Sequence, residues 1–204
     1  MTDRPGLWPS PTPRWQAAAD AVAVGLSGEP SDGPVLSGPW RLLLLGDGSP
    51  TRHLQSLTGL RVDVEVIAMA ADSDPGREAP AEVEELEAPL LRRQVWLRCG
   101  AHTLAWAESW WNQSEADQHL QQRNQPIWRS LTQGRSELFR EVDGLALVEA
   151  EWLDRTFGHR GPFWSRHYRF FRQGKALTVI REVFSPQLET WLGPTLRQEF
   201  QQNS

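Results

Sequence analysis

Two pairs of strand-like segments, each joined by a short glycine-containing turn, constrain the fold of this chain more than any other feature. The pairs are 93–99 with 103–110 across Gly100-Ala101-His102, and 163–171 with 177–184 across Arg172-Gln173-Gly174-Lys175. Connections this short join antiparallel neighbours, because a parallel pair needs a crossover of a dozen or more residues. The sequence therefore predicts an antiparallel sheet and argues against a doubly wound one.

Helical segments are predicted between the strands. Ser49 and Pro50 suit the N-cap and first position of a helix that runs through Leu57 and stops at Gly59. Further helical patterns cover 114–123, 136–147 and 149–157, and a strand pattern covers 60–69. We expect one α+β domain with an antiparallel sheet that the helical segments could cover.

The first 38 residues differ in composition from the rest. They are rich in Pro and Gly, with a helix-like stretch at 14–26 between Pro-rich flanks. We interpret 1–38 as an appended N-terminal arm that carries no chemistry, and 39–204 as the domain.

Charge and composition limit the kinds of partner and the cellular location that we expect. The net charge of −5 argues against nucleic-acid binding, which needs a basic surface. Cations and aromatic residues lie side by side at 160–169, a pattern found in proteins that bind single-stranded nucleic acid and also on the polar face of a strand. Given the acidic total, we interpret it as a polar strand face. The longest apolar run is 42–45, so no membrane span is expected. A single cysteine fits a reducing compartment, so we expect a cytoplasmic protein.

Two charged residues, Arg93 and Glu182, lie in otherwise apolar strand patterns. Alternation places Arg93 on one face with Val95 and Leu97, and groups Glu182 with Ile180. A guanidinium that faces a core needs an anion. That anion is either a protein carboxylate, with Glu182 as the structural partner, or a bound anionic ligand. The strand pattern leaves both readings open.

Other motifs point to no cofactor. Gly46-Asp47-Gly48-Ser49 lacks the Gly-Lys-Ser/Thr ending of a phosphate-binding loop, and indicates a helix start. The five histidines have no spacing that places two on one helix face as metal ligands. We expect neither a metal nor an organic cofactor.

Five segments, taken in order, carry a resemblance to a known family: LLLGDGSPTRHL at 43–54, LRRQVWL at 91–97, QPIWRSL at 125–131, GPFWSRHY at 161–168 and GKALTVIREVFSP at 174–186. Together they resemble the chorismate lyase family, most closely its branch from oxygenic phototrophs and plastid genomes. The resemblance covers about 39–193 and leaves the N-terminal arm outside.

This resemblance implies an antiparallel sheet with helical flaps that enclose a small ligand cavity. It also implies a lyase that converts chorismate to 4-hydroxybenzoate and pyruvate without a cofactor, for quinone synthesis, plastoquinone included. It implies that Arg93 binds the ring carboxylate and that Glu182 meets the ring-hydroxyl end. Ile127 stands where the family has a cavity leucine. Pro50 stands where the bacterial branch has a ligand-contacting methionine, which is a departure. Arg93 and Glu182 are the expected catalytic residues.

Chorismate carries two carboxylates, so a second cation is required. The sequence offers Arg52, His53, Arg166 and His167, and does not separate them. We expect Glu182 to need no contact with Arg93, so that Glu182→Gln lowers turnover and leaves the stability of the empty protein nearly intact. We also expect a monomer.

Two rival interpretations stay open at this stage. One is a non-catalytic small-molecule-binding domain of the same superfamily, because a fold does not determine an activity. The other is a structural protein in which Arg93 and Glu182 neutralise each other.

Overall fold

The two predicted hairpins form the middle of a seven-stranded antiparallel sheet, in the order β1-β5-β6-β7-β4-β3-β2. The computed structural model describes residues 6–24, 36–120, 127, 131 and 138–196. The strands are β1 Thr12–Ala18, β2 Val62–Asp72, β3 Leu90–Cys99, β4 His102–Asn112, β5 Phe139–Glu149, β6 Phe163–Arg172 and β7 Lys175–Phe184. The α+β antiparallel prediction is confirmed.

Short helices join these strands. The α-helices are α1 Ala19–Val24, α2 Gly38–Leu45, α3 Pro50–Thr58, α4 Gln113–His119, α5 Glu151–Phe157 and α6 Glu189–Leu192, with 3₁₀ turns at Ala81–Glu85 and Pro186–Leu188. No helix in the described part of the chain is long and apolar enough to cross a membrane.

The turns and helix ends follow the local sequence. In the β6–β7 hairpin, Gln173 (φ 51°) and Gly174 (φ 77°) adopt the left-handed conformation that a two-residue hairpin turn requires. Helix α3 begins after Ser49 and ends at Gly59 (φ 69°), as predicted. Its cap differs in one respect, because the Ser49 hydroxyl bonds the Thr51 hydroxyl at 2.9 Å and caps no backbone N–H.

Both faces of the sheet are covered. Helices α2 and α3 pack on one face, which also carries Arg93, Tyr168 and Glu182. Helix α5, Trp8 and the 3₁₀ turn at Ala81–Glu85 pack on the other. A strand that is buried on both faces lacks strict alternation, which explains the two apolar faces of β7.

The predicted helix at 136–147 is wrong where the structure describes it, because 139–149 is strand β5. Its Glu, Leu and Ala residues favour a helix locally, but antiparallel pairing with β6 and β1 overrides that preference. Gly144 permits this pairing, since a Cβ atom there would lie 2.5 Å from the His167 ring and 3.1 Å from the Ala17 carbonyl oxygen.

The predicted helix at 14–26 is also wrong in its first part. Thr12–Ala18 is edge strand β1, paired with β5, and only Ala19–Val24 is helical. Before the strand, Trp8 packs edge-to-face on Trp96 and Trp152, with centroid distances of 6.0 and 5.1 Å. The segment interpreted as an appended arm therefore contributes an edge strand and a ring contact to the domain.

Candidate functional site

A small cavity lies on the face of the sheet that α2 and α3 cover. The volume open to the centre of a water molecule is about 40 Å³. Apolar side chains make up most of its wall, and few charged groups reach it. The lining residues are Ser49, Pro50, Thr51, Val64, Arg93, Val95, Leu97, Ala107, Ser109, Ile127, Arg140, Tyr168, Phe170, Ile180 and Glu182.

All four residues expected at a ligand site line this cavity: Pro50, Arg93, Ile127 and Glu182. Arg93 is on β3 and Glu182 on β7, and β4 lies between these strands. Arg93 is in register with Ser109 and, through it, with Ile180, and Glu182 is two residues further along β7. Two inter-strand spacings and this offset place the backbones of Arg93 and Glu182 roughly 12 Å apart. The arrangement sets a cation and a carboxylate on separate parts of the cavity wall.

The Glu182 carboxylate is engaged by two neighbours on β6. Arg166 Nε donates to Oε2 at 2.8 Å, and the Tyr168 hydroxyl donates to Oε1 at 2.8 Å. All three side chains are at most 2% exposed. The interpretation in which Glu182 neutralises Arg93 is therefore wrong, because the cation beside Glu182 is Arg166.

Arg166 is held on every nitrogen. Beyond Glu182, its Nη1 donates to the carbonyls of Leu43 (2.7 Å) and Gly46 (2.9 Å), and its Nη2 to that of Gly48 (3.2 Å). The glycine turn that resembles a phosphate loop thus presents carbonyl oxygens to a cation. A Cβ atom at Gly48 would lie 2.1 Å from His53 Nε2, so a larger residue there would displace the His53 ring.

Burial shifts the pKa values of two groups that line the cavity, Arg93 and Tyr168. It lowers the pKa of the Arg93 guanidinium to about 10, so Arg93 remains charged at neutral pH. Burial, followed by the nearby Glu182 charge, raises the pKa of Tyr168 well above its usual value. Tyr168 therefore stays a neutral phenol that donates to Glu182.

Arg140 lines the cavity, and the sequence reasoning missed it. It lies on β5, directly opposite Phe170 in the register with β6, and its guanidinium carbon is 4.5 Å from the Phe170 ring centroid and 4.6 Å from that of Tyr168. Its Nη1 donates to the carbonyls of Asp47 (2.5 Å) and Gly48 (2.6 Å). The segment has a helical pattern, so only the sheet pairing brings Arg140 to the site.

The other proposed cations differ in position. Arg52 is exposed on α3 and is absent from the cavity lining. His167 faces the opposite side of the sheet, where its Nε2 lies 3.2 Å from Glu82. His53 is beside Gly48, and burial, followed by the charge of Arg166, lowers its pKa, which favours the neutral imidazole. Among the described residues, no group of three or more His, Cys, Asp or Glu side chains is placed to hold a metal ion.

Comparison with known proteins relates this architecture to one family. The family described as chorismate pyruvate-lyase Rv2949c-like matches residues 44–192. The uncharacterized protein ycf21 of Porphyra purpurea is 32% identical over 155 residues, which cover 74% of this chain and 83% of the relative. That of Cyanophora paradoxa is 29% identical over 148 residues, which cover 72% and 77%.

A solved structure shares the fold. The effector domain of PhnF from Mycobacterium smegmatis aligns with a TM-score of 0.53 over 71% of this chain and 92% of that domain, at 14% identity. An identity this low shows the architecture alone. The family match spans every residue that lines the cavity. The chain therefore belongs to the Rv2949c-like chorismate pyruvate-lyase family.

Proposed function

We propose that the protein is a chorismate lyase that releases 4-hydroxybenzoate and pyruvate. The observation that carries the proposal is the cavity wall, where buried Arg93 and the Glu182–Tyr168 pair stand two strands apart. A ring with a carboxylate at one end and a hydroxyl at the other suits a cavity wall that carries a guanidinium at one part and a hydrogen-bond acceptor at another. Membership of the family supports the same substrate.

In this proposal Arg93 binds the ring carboxylate, because a planar guanidinium can donate two parallel hydrogen bonds to a carboxylate. Glu182 accepts a hydrogen bond from the 4-hydroxyl and orients the ring. The C3–oxygen bond to the enolpyruvyl group breaks and the C4 proton leaves. The released enolpyruvate then gains one proton at its methylene carbon and becomes pyruvate, which balances the proton lost from C4.

Aromatisation of the ring drives the elimination, so the protein mainly orients and stabilises. The cavity has room for about three or four water molecules, at 10–15 Å³ for each. Chorismate therefore enters only when lining side chains move outward. The same proposal includes a cytoplasmic location. It also includes the use of 4-hydroxybenzoate in quinone synthesis, plastoquinone included.

The second candidate is a small-molecule-binding domain without catalysis. The shared fold with the PhnF effector domain favours it. Such a domain would bind chorismate or hydroxybenzoate in the same cavity and leave chorismate intact, so product analysis separates the two candidates.

The test is incubation of the purified protein with chorismate and a metal chelator, with chromatographic detection of 4-hydroxybenzoate and an enzymatic assay for pyruvate. We expect equal amounts of both products. We also expect Arg93→Lys to weaken 4-hydroxybenzoate binding about 10-fold or more, since a point charge replaces a two-bond fork.

Arg98→Lys is the matched control for Arg93, because Arg98 is on the same strand but is exposed and pairs with Glu65 at 2.7 Å. It should bind the product like the wild type. Intact chorismate after prolonged incubation would contradict the lyase, and unchanged affinity in Arg93→Lys would remove Arg93 from the site.

A further inference from the structure

Arg140 is a cation at the cavity whose positive charge is not balanced locally. Its hydrogen bonds to protein are made by Nη1, to two peptide carbonyls. No carboxylate among the described residues forms an ion pair with it, and its buried Nε has no hydrogen-bond partner there. Peptide carbonyls hold a guanidinium in place without cancelling its charge.

The edge of Arg140 that stays available suits a carboxylate. A guanidinium donates bidentately through two nitrogens on one edge, and the Nε–Nη2 edge is separate from the Nη1 group that holds the loop. The Arg140 guanidinium carbon lies 4.6 Å from the Tyr168 ring centroid and 4.5 Å from that of Phe170, and these ring contacts hold the group in place together with the two Nη1 hydrogen bonds. Part of the ordering cost of binding an anion is therefore already met in the empty protein.

Arg140 also lies near the Glu182 part of the wall. The two residues share Tyr168, whose ring lies 4.6 Å from the Arg140 guanidinium carbon and whose hydroxyl donates to Glu182. Arg166 is the nearer cation, but its nitrogens are used by Glu182 and three carbonyls. Arg140 is therefore the guanidinium at that part of the wall whose Nε–Nη2 edge can bind an anion.

We infer that Arg140 binds the second carboxylate of the substrate, the one on the enolpyruvyl group. The inference rests on the proposed function. With the ring carboxylate on Arg93 and the 4-hydroxyl on Glu182, the substituent at the adjacent carbon C3 falls near Glu182, and so near Arg140. Arg140 then selects a dianion over a monoanion, and its charge stabilises the oxygen that gains electrons when the C3–oxygen bond breaks.

The test compares two ligands in the full-length protein. Chorismate has two carboxylates and 4-hydroxybenzoate has one. In the wild type, Arg140→Gln and Arg140→Lys, calorimetry measures the affinity for 4-hydroxybenzoate, and the affinity for chorismate is taken from KM in initial-rate assays, or from calorimetry where chorismate is not turned over. We expect Arg140→Gln to weaken chorismate binding about 10- to 100-fold, the usual range for a lost charge-assisted pair. Binding of 4-hydroxybenzoate should change by less than about 3-fold, because its carboxylate stays on Arg93.

Arg155→Gln is the charge-matched control, since Arg155 is exposed on α5 and pairs there with Glu151. It should leave both affinities unchanged. Arg140→Lys keeps the charge and loses the fork, so a chorismate affinity between those of the wild type and Arg140→Gln is expected. It also serves as the test protein if Arg140→Gln fails to fold.

The outcomes separate the two proposals. Turnover in the wild type with equal losses for both ligands in the Arg140 variants, or with no loss, overturns the inference and leaves the lyase standing. Binding of chorismate without turnover overturns the lyase, and the same affinity ratio still decides the role of Arg140. A wild type that does not bind chorismate overturns both.

Discussion

Glu182 has two roles at the level of single residues, because it faces the cavity and also balances a buried cation. Arg166 is inaccessible to solvent, and its only carboxylate partner among the described residues is Glu182. The expectation that Glu182→Gln would leave stability nearly intact did not include the ion pair with Arg166. Removing a carboxylate from beside a buried guanidinium leaves an uncompensated charge.

We therefore predict that Glu182→Gln lowers the free energy of unfolding by about 3–5 kcal/mol. Turnover per folded molecule should fall as well, because the amide cannot accept hydrogen bonds at both positions. Denaturant titration measures the first effect and an active-site-normalised assay the second. The surface control Glu151→Gln should melt like the wild type. Full activity in the folded fraction of Glu182→Gln would show that Glu182 serves stability alone.

The N-terminal segment matters at the level of elements, since it covers the face of the sheet opposite the cavity. The Trp8 backbone exchanges two hydrogen bonds with the Gln94 side chain, at 2.8 and 2.9 Å, and the Ser10 hydroxyl accepts from Arg92 Nη2 at 2.7 Å. Beneath it, Glu108 pairs with both Arg92 and Arg181. The segment thus shields a buried charge cluster on the strands that carry the site residues.

We predict that Trp8→Ala lowers the free energy of unfolding by about 2 kcal/mol, the usual value for the burial of a large apolar side chain. The loss comes from the contacts of Trp8 with Trp96 and Trp152. Thermal or denaturant unfolding measures it. Leu42→Ala removes an apolar side chain that is 75% exposed and should have little effect. Equal stability of Trp8→Ala and the wild type would mean that this segment does not dock in solution.

At the level of the whole molecule, two part-buried histidines couple folding to pH. Burial is the largest cause that lowers the pKa of His53 and of His119 from 6.5. Between the lowered pKa and 6.5, the unfolded chain binds protons at these imidazoles more readily than the folded protein does. The free energy of unfolding therefore rises with pH in that interval and falls as the pH drops below 6.5.

We predict that this slope is seen in denaturant titrations from about pH 7.5 down to about pH 5, the interval in which an ordinary histidine titrates. The double variant His53→Gln and His119→Gln should flatten it. His159→Gln, which replaces an exposed histidine, should keep it. An unchanged slope in the double variant would assign the pH dependence to carboxylates, of which Glu82 has its pKa lowered mainly by the hydrogen bond with His167.

Local sequence determined the parts of the protein that depend on neighbours in the chain. Turn glycines, the Ser49-Pro50 helix start and strand alternation were enough to predict both central hairpins, the α3 helix and the inward direction of Arg93, because side-chain direction alternates along a strand whatever its partner. The resemblance to the family then grouped Pro50, Arg93, Ile127 and Glu182, and all four line one cavity.

Contacts between distant segments decided the rest. Strands β1 and β5 have locally helical patterns and are strands only because each finds a sheet edge to pair with. That pairing alone brings Arg140 to the cavity, and the packing of β6 beside β7 makes Arg166, and not Arg93, the partner of Glu182. Strand order and ion-pair choice depend on energies summed over the whole fold, which no local pattern contains.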